Sequence, residues 1–177
     1  MHREDQPEGA ATDVPGLLQT PDYARAVFGY MVPDLPGSEL TPRVEHRLRR
    51  RAVVDRDIPV PYETIVHEAA LRIRVGDCRV TLTQLRRILD EMERGHFTVL
   101  VVRFDTDHFA GAGAAMMHVG GPLPRLDTVL RDSPSGTAFL DAESQLERFR
   151  TLFRKMEKAA LDPTRTRDFI HHLAKEL

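Results

Sequence analysis

Residues 97–104 read FTVLVVRF, the only run in the chain that is apolar on both faces of a pleat. Val99 and Val101 fall on one side and Leu100, Val102 and Phe104 on the other. Such a strand needs cover on both faces, so the run predicts a central strand held between layers. The segment after it, DTDHFAGAG, is polar and contains glycine, and it would leave the strand's end carrying Asp105, Asp107 and His108. Rigid strand ends that open into polar loops are where sites tend to be built.

The elements around that strand are read from their start signals. Thr20 as cap, Pro21 at the first helical position and Asp22 in the first turn open a helix with Tyr23, Val27, Tyr30 and Met31 at helical spacing. Thr41 and Pro42 repeat the signal ahead of RVEHRLRRRAVV. Residues 62–66 are a short β-type run that ends at His67 and Glu68. Thr81 and Gln84 have capping-box spacing and open a helix with Leu85, Ile88, Leu89 and Met92 on one face, ending at Gly95.

Beyond the central strand, residues 114–120, 126–132 and 135–141 read as short strands in a meander beside it. Asp141 opens a helix with the stripe Leu146, Phe149, Phe153, Met156 and Ala160, and Asp162 with Pro163 opens a last one bearing Phe169, Ile170, Leu173 and Leu177. These two form an αα-hairpin that either lids the sheet or pairs with another subunit in a homodimer or hetero-complex. Stripes only a few turns long favour the lid. The expectation is one α+β domain over residues 14–177, with a small central mixed or antiparallel sheet covered by helices and a C-terminal αα-hairpin. Residues 1–13 are polar and read as a disordered or arm-like tail.

Composition enters mainly to exclude. One cysteine, Cys78, rules out an internal disulfide framework; without a long apolar run or a secretory signal, the expected location is the cytoplasm and no membrane is involved. A formal net charge of -2 excludes a generally basic nucleic-acid binder and leaves only local patches. The strongest patch is the arginine-rich helix after Pro42. It is either a solvated face or a surface in which Arg47, Arg50 and Arg51 bind an anionic partner.

No phosphate loop, dinucleotide fingerprint, zinc spacing or nucleophile elbow occurs, so neither a cofactor nor a metal is expected. The remaining chemistry is a dispersed polar set that could converge if residues 62–66 and 97–104 are neighbours. Within it, Glu68, His108 and His67 are the candidates for acid-base work, and Tyr62, Arg103, Asp105, Asp107 and His118 for lining a ligand pocket. The competing reading makes them turn caps and surface groups.

PGLLQTPDYARA, RVEHRLRRR, HEAALRIRVG, QLRRILDEMER, FTVLVVRF with the following His108, and LERFRTLFRKMEKAALDP together resemble a known family. They are similar to the C-terminal domain of actinobacterial XRE-type helix-turn-helix, antitoxin-like transcriptional regulators, a domain of unknown function. The resemblance runs over nearly all of residues 14–177, and PGLLQTPDYA is its most specific piece. It implies a domain that senses a small molecule or binds a partner, often a small acidic protein.

With thirteen residues ahead of Val14, a helix-turn-helix is not expected, nor is direct sequence-specific DNA binding. The chain also departs from the family at His67, where an acidic residue is usual, and at Arg103, where proline is usual. Two expectations follow. The first is a ligand- or partner-binding module without its own DNA-binding domain. The second is an enzyme or enzyme subunit of specialised metabolism, doing acid-base chemistry such as cyclisation or elimination on an amino-bearing small molecule.

Overall fold

The computed structural model describes residues 14–32, 35–55, 62–107, 109, 116–119, 127–133 and 136–177. Its helices are α1 (Pro21–Met31), α2 (Gly37–Arg49), α3 (Glu68–Arg72), α4 (Cys78–Glu93), α5 (Glu143–Ala159) and α6 (Pro163–Glu176). The strands are β1 (Tyr62–His67), β2 (Phe97–Val102), β3 (Met116–Val119), β4 (Thr128–Ser133) and β5 (Gly136–Leu140), and short 3-10 turns occupy Gly16–Leu18 and Arg50–Val53. The class is α+β, as the sequence implies, and the C-terminal helical pair is present.

The described strands divide into two small sheets. β1 and β2 pair in parallel, in register from Tyr62 opposite Phe97 to His67 opposite Val102. Parallel neighbours need a crossover, which α3 and α4 supply. β3, β4 and β5 form an antiparallel meander bonded within itself and not to β2. The free edge of β2 is covered by the connection between α5 and α6: Leu161 N–H donates to Val101 O at 2.8 Å, and Val101 N–H donates to Thr166 Oγ1 at 3.1 Å. Thr166 is fully buried, so this hydroxyl does for the edge what a third strand would have done.

β2 is buried on both faces, with Val99, Val101, Leu100 and Val102 all in the core. Val99 and Val101 share one apolar cluster with Leu85, Ile88 and Leu89 of α4 and Ile170 and Leu173 of α6. Phe104 departs from the expected pattern. The strand stops at Val102, and the phenyl ring beyond it is 61 % exposed.

Several start signals hold in detail. Thr20 Oγ1 accepts from Tyr23 N–H with Pro21 at the first position of α1, and Asp162 caps α6 ahead of Pro163. Two others shift. α2 starts at Gly37, which puts Pro42 inside the helix; a proline this near the N-terminus removes a single helical hydrogen bond, and the helix continues through it. α4 is capped by Asp77, whose Oδ1 accepts from Val80 N–H at 2.8 Å, and not by Thr81. α5 starts at Glu143, two residues past Asp141, behind Ala142.

Gln84 has a larger task than capping. Thr20 N–H donates to its Oε1 at 2.8 Å, and its Nε2 donates to Leu18 O at 2.9 Å. One buried amide therefore holds the backbone of the Gly16–Leu18 turn and the start of α1 against α4. Beside it, Gln19 Nε2 donates to Val14 O at 2.7 Å and accepts from Arg47 Nη1 at 2.9 Å.

Candidate functional site

Because β1 and β2 are parallel, their carboxyl ends open on the same side, the usual position for ligands in open sheets of this kind. β1 runs directly into α3. His67 is the N-cap of that helix, and its Nδ1 accepts from Ala69 N–H at 3.2 Å. A neutral ring that accepts at Nδ1 carries its proton on Nε2. The imidazole meets Phe104 edge-on at 5.0 Å between centroids and stacks on Phe109 at 5.8 Å. Arg72 and Arg103 approach the ring of Phe169 from 5.9 and 5.8 Å, and Arg103 Nη2 lies 2.9 Å from Asp105 Oδ2. Arg103 Nε is buried with no hydrogen-bond partner.

Glu68 lies beneath this corner, buried, with both oxygens engaged. Oε1 accepts from Arg72 Nε and Oε2 accepts from Phe104 N–H at 2.9 Å. Burial alone would push its carboxyl up, but the Phe104 N–H, the Arg72 guanidinium and the charge of Arg103 together hold it below the ordinary carboxylate value. The group is ionised at neutral pH and joins the start of α3 to the exit of β2. A carboxylate so stabilised is a weak base, and the geometry gives it a fastening role.

A depressed folded-state value means that this stability is complete above the ordinary carboxylate pKa of about 4.3 and is lost as pH falls through the lower folded value. Urea midpoints between about pH 7 and pH 3 should therefore fall less steeply below about pH 5 in Glu68→Gln than in the parent chain. Identical acid-side slopes would remove Glu68 from the account.

The structure brings His67, Glu68, Arg103 and Asp105 together. The other candidates lie elsewhere. Tyr62 sits at the opposite end of β1, its ring 5.2 Å from that of Phe97. Asp107 is exposed on the turn after Phe104, and His108 lies outside the described residues.

His118 belongs to a different cluster, in which its Nε2 is 3.1 Å from Asp127 Oδ2 and its ring stacks on Phe149. Arg150 of α5 donates to the same Asp127 oxygen at 2.8 Å and also reaches Glu143 and Glu147. Hydrogen bonds to Asp127 and Glu147 raise its guanidinium pKa further, and the cluster fastens the meander to α5.

Sequence reasoning missed Arg72, Phe109 and Phe169. Only Arg72 left a signal, four residues after Glu68, where a helical ion pair forms.

The arginine-rich stretch does not present its cations as a set. Arg47 is 4 % exposed, lies 4.2 Å over the ring of Phe28 and binds Gln19. Arg51 turns toward α4, where Nη2 is 2.7 Å from Glu91 Oε2, while Nε is 2.8 Å from Asp55 Oδ2. Arg50 is half-buried in the following 3-10 turn. The periodicity marked these residues as a basic face, but guanidinium stems cover apolar surface well, and here two of the three do so.

Among the described residues, no group of three or more His, Cys, Asp or Glu is placed to hold a metal ion, and no helix is long and apolar enough to cross a membrane. No curated protein and no solved structure matches the chain. A family model does match, over residues 9–172, and with nearly the whole chain covered this protein belongs to DUF5753, a domain-of-unknown-function family.

Proposed function

We propose that this chain is a ligand- or partner-binding domain, of the kind its sequence resembles in actinobacterial helix-turn-helix regulators. Its recognition surface is the corner at the carboxyl ends of β1 and β2. The observation that carries the reading is the combination of an exposed Phe104, stacked His67 and Phe109 rings, and two guanidiniums beside the one carboxylate of that corner that is buried and already engaged. Exposed aromatic surface next to cations suits a small organic anion with a flat apolar body: the rings take the body, and Arg103 and the Nε2–H of His67 take the charge. A protein occupant would present an acidic side chain next to an apolar one.

The second reading, acid-base chemistry on an amino-bearing molecule, is favoured by a single feature. His67 Nε2 has no hydrogen-bond partner among the described residues, so a proton could be exchanged there, whereas Glu68 is committed.

Phenylacetate and phenethylamine share a ring and differ in charge, so they separate the two ideas. At ten times its dissociation constant, phenylacetate should stabilise the fold by about 1.4 kcal/mol, a rise in Tm of about 3–6 °C, and phenethylamine should not. The shift should vanish in Arg103→Gln/Phe104→Ser. Equal shifts with both compounds, or a shift that survives the double substitution, would overturn this assignment.

A further inference from the structure

We propose that the outer faces of Arg87 and Arg94, on α4, form a phosphate-binding site independent of the strand-end corner. Both arginines converge on Glu91, a fully buried carboxylate that receives Arg87 Nη1 at 3.0 Å, Arg94 Nη1 at 3.2 Å and Arg51 Nη2 at 2.7 Å. Asp55, paired with Arg51, is the other carboxylate in the group. Among the described residues, three guanidiniums against two carboxylates leave one positive charge over. Asp90 and Glu93, also on α4, form no ion pair with these arginines.

The surplus charge is localised by which nitrogens the hydrogen bonds and ion pairs occupy. Arg51 uses all three of its nitrogens, on Asp55, Glu91 and Leu17 O. Arg87 and Arg94 each engage only Nη1, which leaves Nε and Nη2 of both without partners among the described residues. Their side chains are 28 % and 58 % exposed, so those donors reach solvent.

Arg87, Glu91 and Arg94 follow at steps of four and three, which sets them on one face of α4 with the arginines about 10 Å apart along the axis and leaning toward the carboxylate between them. Two half-exposed guanidinium forks over one buried carboxylate suit a tetrahedral anion with several oxygens. The charge on Arg87 is disfavoured by burial and by Arg51 and Arg94, and an arriving dianion reverses that repulsion.

Phosphorus-31 line broadening at constant ionic strength tests the site with inorganic phosphate as probe. The parent chain should bind phosphate, Arg87→Gln/Arg94→Gln should weaken it about ten-fold or more, and Arg148→Gln, on the exposed face of α5, should leave it unchanged. Arg51 keeps its bonds to Glu91 in the double variant; if that protein does not fold, Arg94→Gln alone should still show a loss of about three- to five-fold. Glycerol phosphate as an added arm separates a phosphomonoester ligand, bound as tightly as phosphate, from the free ion. Undiminished binding in the α4 variants, no binding in the parent chain, or acetate competing as well as phosphate would each overturn the proposal.

Discussion

Replacing Glu91 by alanine is expected to destabilise the fold by about 3–5 kcal/mol, because the change leaves three cations facing a vacated, buried position. Arg94 and Arg87 can swing toward water, which keeps the cost from running higher. Arg51 cannot do so as freely: its guanidinium is 5.6 Å from the ring of Phe97 and held between Asp55 and Leu17. The burden therefore falls on the junction between the Arg50–Val53 turn and α4.

Glu91→Gln separates charge from shape. The amide fills the same volume but turns an N–H₂ toward guanidiniums that have nothing to accept with, so it should lose at least about half as much. Urea unfolding measures both, as a lower midpoint at unchanged slope. A glutamine variant as stable as the parent would show that packing at residue 91, not its charge, holds the junction. In the opposite direction, Arg51→Met combined with Glu91→Leu should recover part of the loss, since apolar residues of similar size often replace a buried pair without penalty.

What the sequence could and could not show follows from the range of the interactions. The central strand, the Thr20 and Asp162 caps and the stripes of the last two helices are local patterns, and all were legible. The cover on the free edge of β2 was not. Thr166 and Leu161 sit about sixty residues after Val101, and a threonine in the first turn of a helix gives no sign that its hydroxyl will serve a strand.

The division of the strands into two sheets was hidden for the same reason, because pairing is settled between segments. At the corner, adjacent His67 and Glu68 were visible as candidates, but their separate tasks were not. A helix begins between them, so one becomes its cap and the other turns under it to reach Phe104. The arginines show the converse: helical spacing located them, while Gln19, Phe28 and Glu91, far off in sequence, turned them inward.

Gln84→Leu should cost about 2–5 kcal/mol, the sum of leaving one buried N–H and one buried carbonyl without partners. The two groups are Thr20 N–H and Leu18 O, and the residues around them, Val14, Leu18 and Tyr23, are themselves in the core cluster. No water can reach the vacated positions without opening α1 from α4. The loss should therefore be global, read as a lower urea midpoint, and not a local fraying detected only by proteolysis near residue 20.

Gln84→Glu tests the geometry further. It keeps the acceptor for Thr20 but sets a carboxylate oxygen against Leu18 O, so it should be at least as damaging as leucine at neutral pH. Near-parent stability in Gln84→Leu would show that the amide is incidental. The expected result has a functional consequence. The stretch PGLLQTPDYA is held by Gln84, Gln19 and Arg47 as scaffold, so Gln84→Leu should lower stability while leaving the proposed recognition surface at the strand-end corner, which shares none of these contacts, to be tested separately.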